Sequence, residues 1–571
     1  MKPLTKSIIK TLIKPREASF NKGRYGFTFL VFLLGILIMT GCNNEKNQKQ
    51  EILNDSTIYS SQNFSDLMLD STVITTFFKT FPVSDTIKNE VNKFYAKRNY
   101  QFAWFNKRGI TYAVPNFYNQ LQNYSLDFAD SSLNNTSLDS LITAVHADEK
   151  QFQLQANQVQ KLELLLTIAF FKYAKKVYGG ISKKVLDLEW FIPRKKKNYQ
   201  ILLDSLVSLT KGKNIQEPVN KYYTRLKEKL RQYRVIQRKG GLPVLVTAKK
   251  LLSIGDNDSC LLMAKQHLFL TDDLTVNDNT IVFTYSLAIA VKNFQHRMGL
   301  AENGKIDIGT INELNKPIDF RIKQMMVNME RLRWVPLEME NDYLLINIPE
   351  FKLHIFENGK PTWATNVVVG KVVTQTNILK SNLSEIILNP YWVVPESIIR
   401  NEIVPNIKKN PSYLITNNME VLSGNKVVNP SKIKWQNYKT DVPFTIRQKP
   451  GKNNVLGKIK FMFSNNFSIY LHDTPSKNLF DESTRAFSHG CIRVAEPEKL
   501  ALYLLRKDTT WNAEKVDTIL KTDEEFSIRV RPIIPVYIVY FTAWVDNNGQ
   551  LNFRNDLYNL DDKLSKEIFK E

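Results

Sequence analysis

"YLHDTPSKNLFDESTRAFSHGCIRV", Tyr470 to Val494, holds one of the three cysteines and two of the six histidines in a chain of 571 residues. A free thiol is mostly protonated at neutral pH, so a catalytic cysteine needs a base or a cation beside it. His472 closes the run "FSIYLH", in which alternation places Phe467, Ile469 and Leu471 on one face and Ser468, Tyr470 and His472 on the other. If the first face is core, the imidazole points into a cleft. His489 lies two residues before Cys491, on the same side of an extended segment. The stretch from Asp473 to Phe487 is long enough to fold over a bound substrate. On these residues alone Cys491 is either a small buried filler or a nucleophile.

Around this stretch the periodicity is that of strands. "DYLLINIPEFKLHIFENGKPTWATNVVVG" alternates with period two and turns at Asn358-Gly359, a strong hairpin signal. Further strands are predicted in "EIILNPYWVVP", "KFMF" and "FSIYLH", and a helix in "EPEKLALYLLRK" with Pro497 in its first turn. The tail "PVYIVYFTAWVDNNGQLNFR" reads as strands with a hairpin at Asn548-Gly549, packed onto the preceding domain. Upstream the period is helical. Leu162, Leu165, Leu166, Ala169, Phe170, Tyr173 and Val177 form one stripe, ending at Gly179-Gly180, and Tyr222, Leu226, Leu230 and Tyr233 form another, ending at Gly240-Gly241. In "YSLAIAVKNFQHRMGLAENGKIDIGTINELN", Leu287, Val291, Phe294 and Met298 line one helical face, Gly299 stops it, and Asp307 or Thr310 starts another short helix.

The N-terminus differs from the rest. A basic segment, an apolar stretch from Phe27 to Met39 and then "MTGC" form a secretory signal ending on a cysteine, with an apolar stretch too short for a comfortable membrane span. Met1 to Gly41 contributes +6 of the formal net charge of +22, leaving +16. That surplus favours an acidic partner: nucleic acid, anionic lipid or a carboxylate-rich polymer. Basic residues are spread along the chain rather than interleaved with aromatics, which argues against nucleic acid. No P-loop, GxGxxG, HExxH or CxxC pair occurs, so neither a cofactor nor a metal site is expected. With Cys42 set aside, Cys260 and Cys491 allow at most one disulfide.

"YLHDTPSKNLF…RAFSHGCIRV" resembles the signature of the L,D-transpeptidases, the YkuD-type catalytic domain. "NPYWVVPESI", "KPGKNNVLGKIKFMF" and "YFTAWVDNNGQLNFR" resemble its large, YcbB-like subgroup, as do "VNKFYAKRNYQFAWF" and the two helical runs. The segment around Leu287 is similar to the three-helix peptidoglycan-binding repeat, and "MTGC" resembles a bacterial lipobox. These resemblances imply an α+β multidomain protein: a signal peptide (1–41), a polar tether (42–71), a helical scaffold domain (72–241), a small three-helix peptidoglycan-binding-like domain (242–318), a β-rich catalytic domain (319–506) and its C-terminal extension (507–571). They imply an extracytoplasmic, membrane-anchored protein lipidated on Cys42, acting on peptidoglycan stem peptides and acylated by carbapenem-type β-lactams.

The family assigns the nucleophile to Cys491 and the proton donor and acceptor to His472, with the backbone carbonyl of Asp473 orienting the ring. The Gly490 N–H, with that of Cys491, is expected to receive the oxyanion. Ser488 completes the motif. His489 either supports the thiolate or shapes the pocket, and Arg493 either binds a substrate carboxylate or braces the loop. Tyr470 and Trp392 are expected as wall residues. The family usually shows Thr-Pro where Thr376 is followed by Asn377, a departure expected to loosen a turn without touching the catalytic residues.

Overall fold

The computed structural model describes residues 65–181, 184–194, 197–210, 217–438 and 441–569. The signal segment, Cys42 and most of the tether lie outside the described residues. Alternating sequence becomes sheet from Tyr343 onward, in the strands β1 (Tyr343–Asn347), β2 (Lys352–Glu357), β3 (Lys360–Gly370), β4 (Ile378–Leu388), β5 (Ile459–Phe463), β6 (Leu471–His472), β7 (Ile492–Val494) and β8 (Phe526–Val539). Their order is β5-β6-β7-β3-β2-β1-β8-β4, and β4 also pairs with β5, so the sheet closes on itself. Closure leaves these strands without a long open edge. The β2–β3 hairpin turns at Asn358 (φ 50°) and Gly359 (φ 71°), the two positive φ values a type I′ turn requires.

Period two sorts the side chains. Phe461, Leu471 and Ile492 stand opposite one another on β5, β6 and β7 and are buried in the core. Their neighbours Lys460, His472 and Arg493 form the next row, on the other face.

Upstream, the helices α1 (Ala156–Tyr173), α2 (Lys221–Arg238), α3 (Cys260–Leu270), α4 (Tyr285–Met298), α5 (Ile308–Leu314) and α6 (Ile318–Leu332) precede the ring, and α7 (Pro497–Leu505) follows β7. α1 is buried on nearly every side rather than along one stripe. Its Glu163 accepts the N–H groups of Ala103 (2.6 Å) and Trp104 (3.0 Å) and the Tyr95 hydroxyl (2.8 Å). Burial raises that carboxyl to about 7, and its two backbone donors hold the irregular segment at Ala103 and Trp104 against the helix. On α2 the buried stripe is Tyr223, Leu226, Leu230 and Tyr233; Tyr222 is only half-buried. On α4, Leu287, Val291, Phe294 and Met298 are buried, Gly299 (φ 70°) ends the helix, and Asp307 caps α5 by accepting the Thr310 N–H at 2.8 Å.

Two expectations need correction and one unit was not anticipated. The run "FSIYLH" is a strand only at Leu471–His472. Asn465 Oδ1 accepts the N–H groups of Phe467 and Ile469, Ser468 is left-handed (φ 54°), and Phe467 faces outward, so a side-chain-capped turn replaces the first four residues of the strand. Only the first part of the tail is built into the ring, where β8 lies between β1, to which it is parallel, and β4; Ala543–Val545 and Leu551–Phe553 pair with each other as a separate hairpin. Between β4 and β5 the chain forms an insert with a small sheet of its own (Trp392–Val393, Thr445–Gln448, Met419–Ser423, Lys426–Val428). It has a separate apolar cluster that includes Trp392, Ile403, Val421 and Ile446.

Candidate active site

β6 and β7 run parallel with Leu471 opposite Ile492 and His472 opposite Arg493, and the Ile492 N–H donates to Tyr470 O at 3.1 Å. This register sets Tyr470 beside Cys491 and His472 beside Arg493 on one face, where all four line a single cleft of about 780 Å³. Trp392 of the insert lines the same cleft, in the apolar cluster against which Tyr470 packs.

His472 is buried, and its Nδ1 lies 2.5 Å from Asp473 O. A carbonyl only accepts, so Nδ1 carries the proton and Nε2 is left as a base. Burial pushes the ring down to about 3, helped by the Arg493 and Lys460 cations and opposed by the backbone carbonyls of Asp473 and Leu456. Asp473 is itself fixed: its carboxylate accepts the Lys458 N–H at 2.8 Å and pairs with Lys477 at 2.5 Å. Gly457 (φ 63°) makes room for it, since a Cβ there would stand 2.3 Å from Asp473 Oδ2. The backbone therefore presents the carbonyl to the imidazole at a fixed place.

Burial pushes the Cys491 thiol above its ordinary value, against the N–H and hydroxyl of Tyr470 and the cations Lys460 and Arg493, which favour the thiolate. At rest the two groups are thus a thiol, which donates to Ser468 O at 3.7 Å, and a neutral imidazole, not a preformed ion pair. Cys491 and Cys260 are both free, so there is no disulfide among the described residues.

The loop carrying the sulfur is held from behind. The Ser488 hydroxyl donates to Cys491 O at 2.6 Å and accepts the Gly490 N–H at 3.1 Å. The expected oxyanion donor at Gly490 is therefore already engaged. The Cys491 N–H has no acceptor among the described residues, so of the two amides only that one is free. Gly490 sits at φ 113°, a conformation side chains rarely tolerate.

Residues 341–517 match the YkuD family, the L,D-transpeptidase catalytic domain. Residues 89–230 match the scaffold domain family. A Haemophilus influenzae protein provisionally named an L,D-transpeptidase is 33% identical over 244 residues, 43% of this chain and 49% of that protein. The chain thus spans about half the length of this curated relative. Among solved structures, an L,D-transpeptidase from Mycobacterium smegmatis overlaps 35% of this chain and 58% of its own at 12% identity and a TM-score of 0.19. One from Stackebrandtia nassauensis overlaps 52% and 96% at 13% identity and the same TM-score of 0.19. At these scores neither likeness carries an argument.

Within the segment that matches this family, the structure adds contacts that the sequence does not show. Thr376 Oγ1 accepts the Gly370 N–H at 2.9 Å and donates to Gly490 O at 2.8 Å. The Thr-Asn turn is tied through its threonine to the loop that carries Cys491, while the departure from the family pattern lies at Asn377. His489 is half-exposed, lines the same cleft and lies 3.1 Å from Glu402 of the insert. Among the described residues Arg493 makes no brace to the loop: its buried Nε has no partner there. Lys460 of β5, opposite His472, lies 4.2 Å from the Tyr470 ring centroid and lines the same cleft. Alternating "KIKFMF" gives no sign of this, because a lysine on the non-core face of a strand ordinarily meets solvent.

Proposed function

We propose that the protein is a cysteine-dependent L,D-transpeptidase of the YcbB-like type that forms 3→3 cross-links between peptidoglycan stem peptides. The observation that carries this reading is a single-tautomer imidazole, its Nδ1 locked on Asp473 O, lining the same cleft as the Cys491 thiol. Cys491 Sγ attacks the carbonyl of the third residue of a tetrapeptide stem as His472 Nε2 takes the thiol proton. Because the resting pair is neutral, proton transfer accompanies the attack instead of preceding it. The Cys491 N–H and the Tyr470 hydroxyl are the donors nearest the developing charge, while Ser488 and Gly490 shape the loop. His472 then passes its proton to the departing D-alanine amine, leaving a thioester. The side-chain amine of a neighbouring stem attacks the thioester, His472 takes its proton, and the new amide releases the thiol.

A covalent relay of this kind needs neither nucleotide nor metal, which suits an extracytoplasmic site. The lipid on Cys42 would anchor the protein to the membrane through the 42–71 tether. The helical unit at 242–318 would hold the glycan polymer and raise the local concentration of stems. The net positive charge favours the same carboxylate-rich polymer, and carbapenem-type β-lactams would acylate Cys491.

Incubation of the full chain with purified cell wall, followed by muropeptide analysis, tests the reaction. New 3→3 dimers support transpeptidation. Trimmed tripeptides without dimers would show that water, not an amine, resolves the thioester, as in an L,D-carboxypeptidase. No change in either product would leave a wall-binding lipoprotein without catalysis.

A further inference from the structure

Lys460 and Arg493 flank His472 on adjacent strands, in one row across β5, β6 and β7. Both are half-buried in the cleft. Among the described residues neither has an ion pair, and Lys460 makes no hydrogen bond. Glu525 and Glu385 act on Lys460 only from a distance, being engaged by the Tyr391 N–H and by Ser527. Burial disfavours the charged form of both cations, yet the groups between them, His472 and Cys491, are neutral at rest. Two desolvated cations without a counter-ion are costly in a folded chain unless a ligand completes them.

We propose that Lys460 and Arg493 together form an anion subsite beside the Cys491 sulfur that holds a carboxylate of the donor peptide, so that the site selects acidic stems over amidated ones. The inference rests on the donor reading above and adds Lys460 as a specificity-determining residue. Arg493 stands two residues along β7 from Cys491 on the same face, and Lys460 two strands across. In the donor peptide the leaving residue carries its carboxylate a few bonds from the carbonyl that Cys491 attacks, so both can occupy one cleft.

Iodoacetate and iodoacetamide differ at the carboxylate and alkylate the same thiol, so the ratio of their rates at Cys491, relative to a free cysteine peptide, reads the subsite without any transpeptidation. Wild type and Lys460→Arg should favour iodoacetate by about tenfold over the free peptide, the worth of one charge-assisted contact. Lys460→Met should lose that preference while melting at or above the wild-type temperature, since it also removes a desolvated cation. Equal slowing of both reagents in Lys460→Met would place Lys460 on the thiol alone and overturn the subsite. A wild-type ratio equal to that of the free peptide would overturn it as well. Should Cys491 react with neither reagent, the nucleophile reading fails, and calorimetry decides the subsite by itself. Tighter binding of N-acetyl-D-alanine than of its amide supports it, and equal binding overturns it.

Discussion

His472 and Cys491 are each driven by burial toward the uncharged form, the imidazole down to about 3 and the thiol above its ordinary range. Alkylation of Cys491 by iodoacetamide should therefore keep rising with pH beyond about 8.5, the usual thiol pKa. A plateau reached below pH 7 would instead mean a resting thiolate–imidazolium pair. Ser488 makes a separate contribution. Ser488→Ala removes the donor to Cys491 O and the acceptor of the Gly490 N–H, and should destabilise the fold by about 1–3 kcal/mol in chemical denaturation. Activity should fall further than stability, because the same loop carries the sulfur. At this scale the sequence was informative about identity and not about partners. The motif singled out His472, Asp473 and Cys491, but which amide is free and which cation lacks a counter-ion depends on side chains brought together from distant strands.

At the scale of elements, the catalytic loop is a strand end held by a turn from elsewhere. Thr376, between β3 and β4, spans Gly370 N–H and Gly490 O, and the Tyr558 hydroxyl donates to Gly370 O at 2.7 Å. Thr376→Val keeps the volume and removes both bonds. It should cost about 2 kcal/mol and slow acylation of Cys491 at least tenfold, whereas Thr376→Ser should retain most of both. Stability by denaturant titration and acylation by mass spectrometry separate the two effects. Hairpins were legible because their signal is local: Asn358-Gly359 and Asn548-Gly549 carry the turn residues in the chain itself. The shortening of "FSIYLH" was not, because the turn depends on Asn465, just outside the alternating run.

For the molecule as a whole, Val536–Val539 of β8 pair with Leu344–Asn347 of β1, at the other end of the ring's sequence, a contact that period-two patterning cannot assign. The same holds for the insert, whose apolar residues read as further strands of the main sheet until their separate cluster is seen. Acid stability is also set at this scale. His267, buried on α3 against Phe294, and His472 are both held at about 3, His267 by burial and by Arg297 and Arg321. Below about pH 6.5 the unfolded chain takes up protons that the folded chain does not, so stability falls as pH drops toward 3. The slope should approach about 1.4 kcal/mol per pH unit for each histidine, and His267→Leu should remove its share. A slope unchanged in that variant would mean that other groups govern the acid limb. The central claim, a thioester on Cys491, is tested most directly by intact-mass analysis after acid quenching of the full chain with a tetrapeptide stem. The expected result is an adduct of the tripeptide acyl mass, mapped to Cys491 and absent from Cys491→Ala; an adduct that survives in that variant, or none in the wild type, would contradict it.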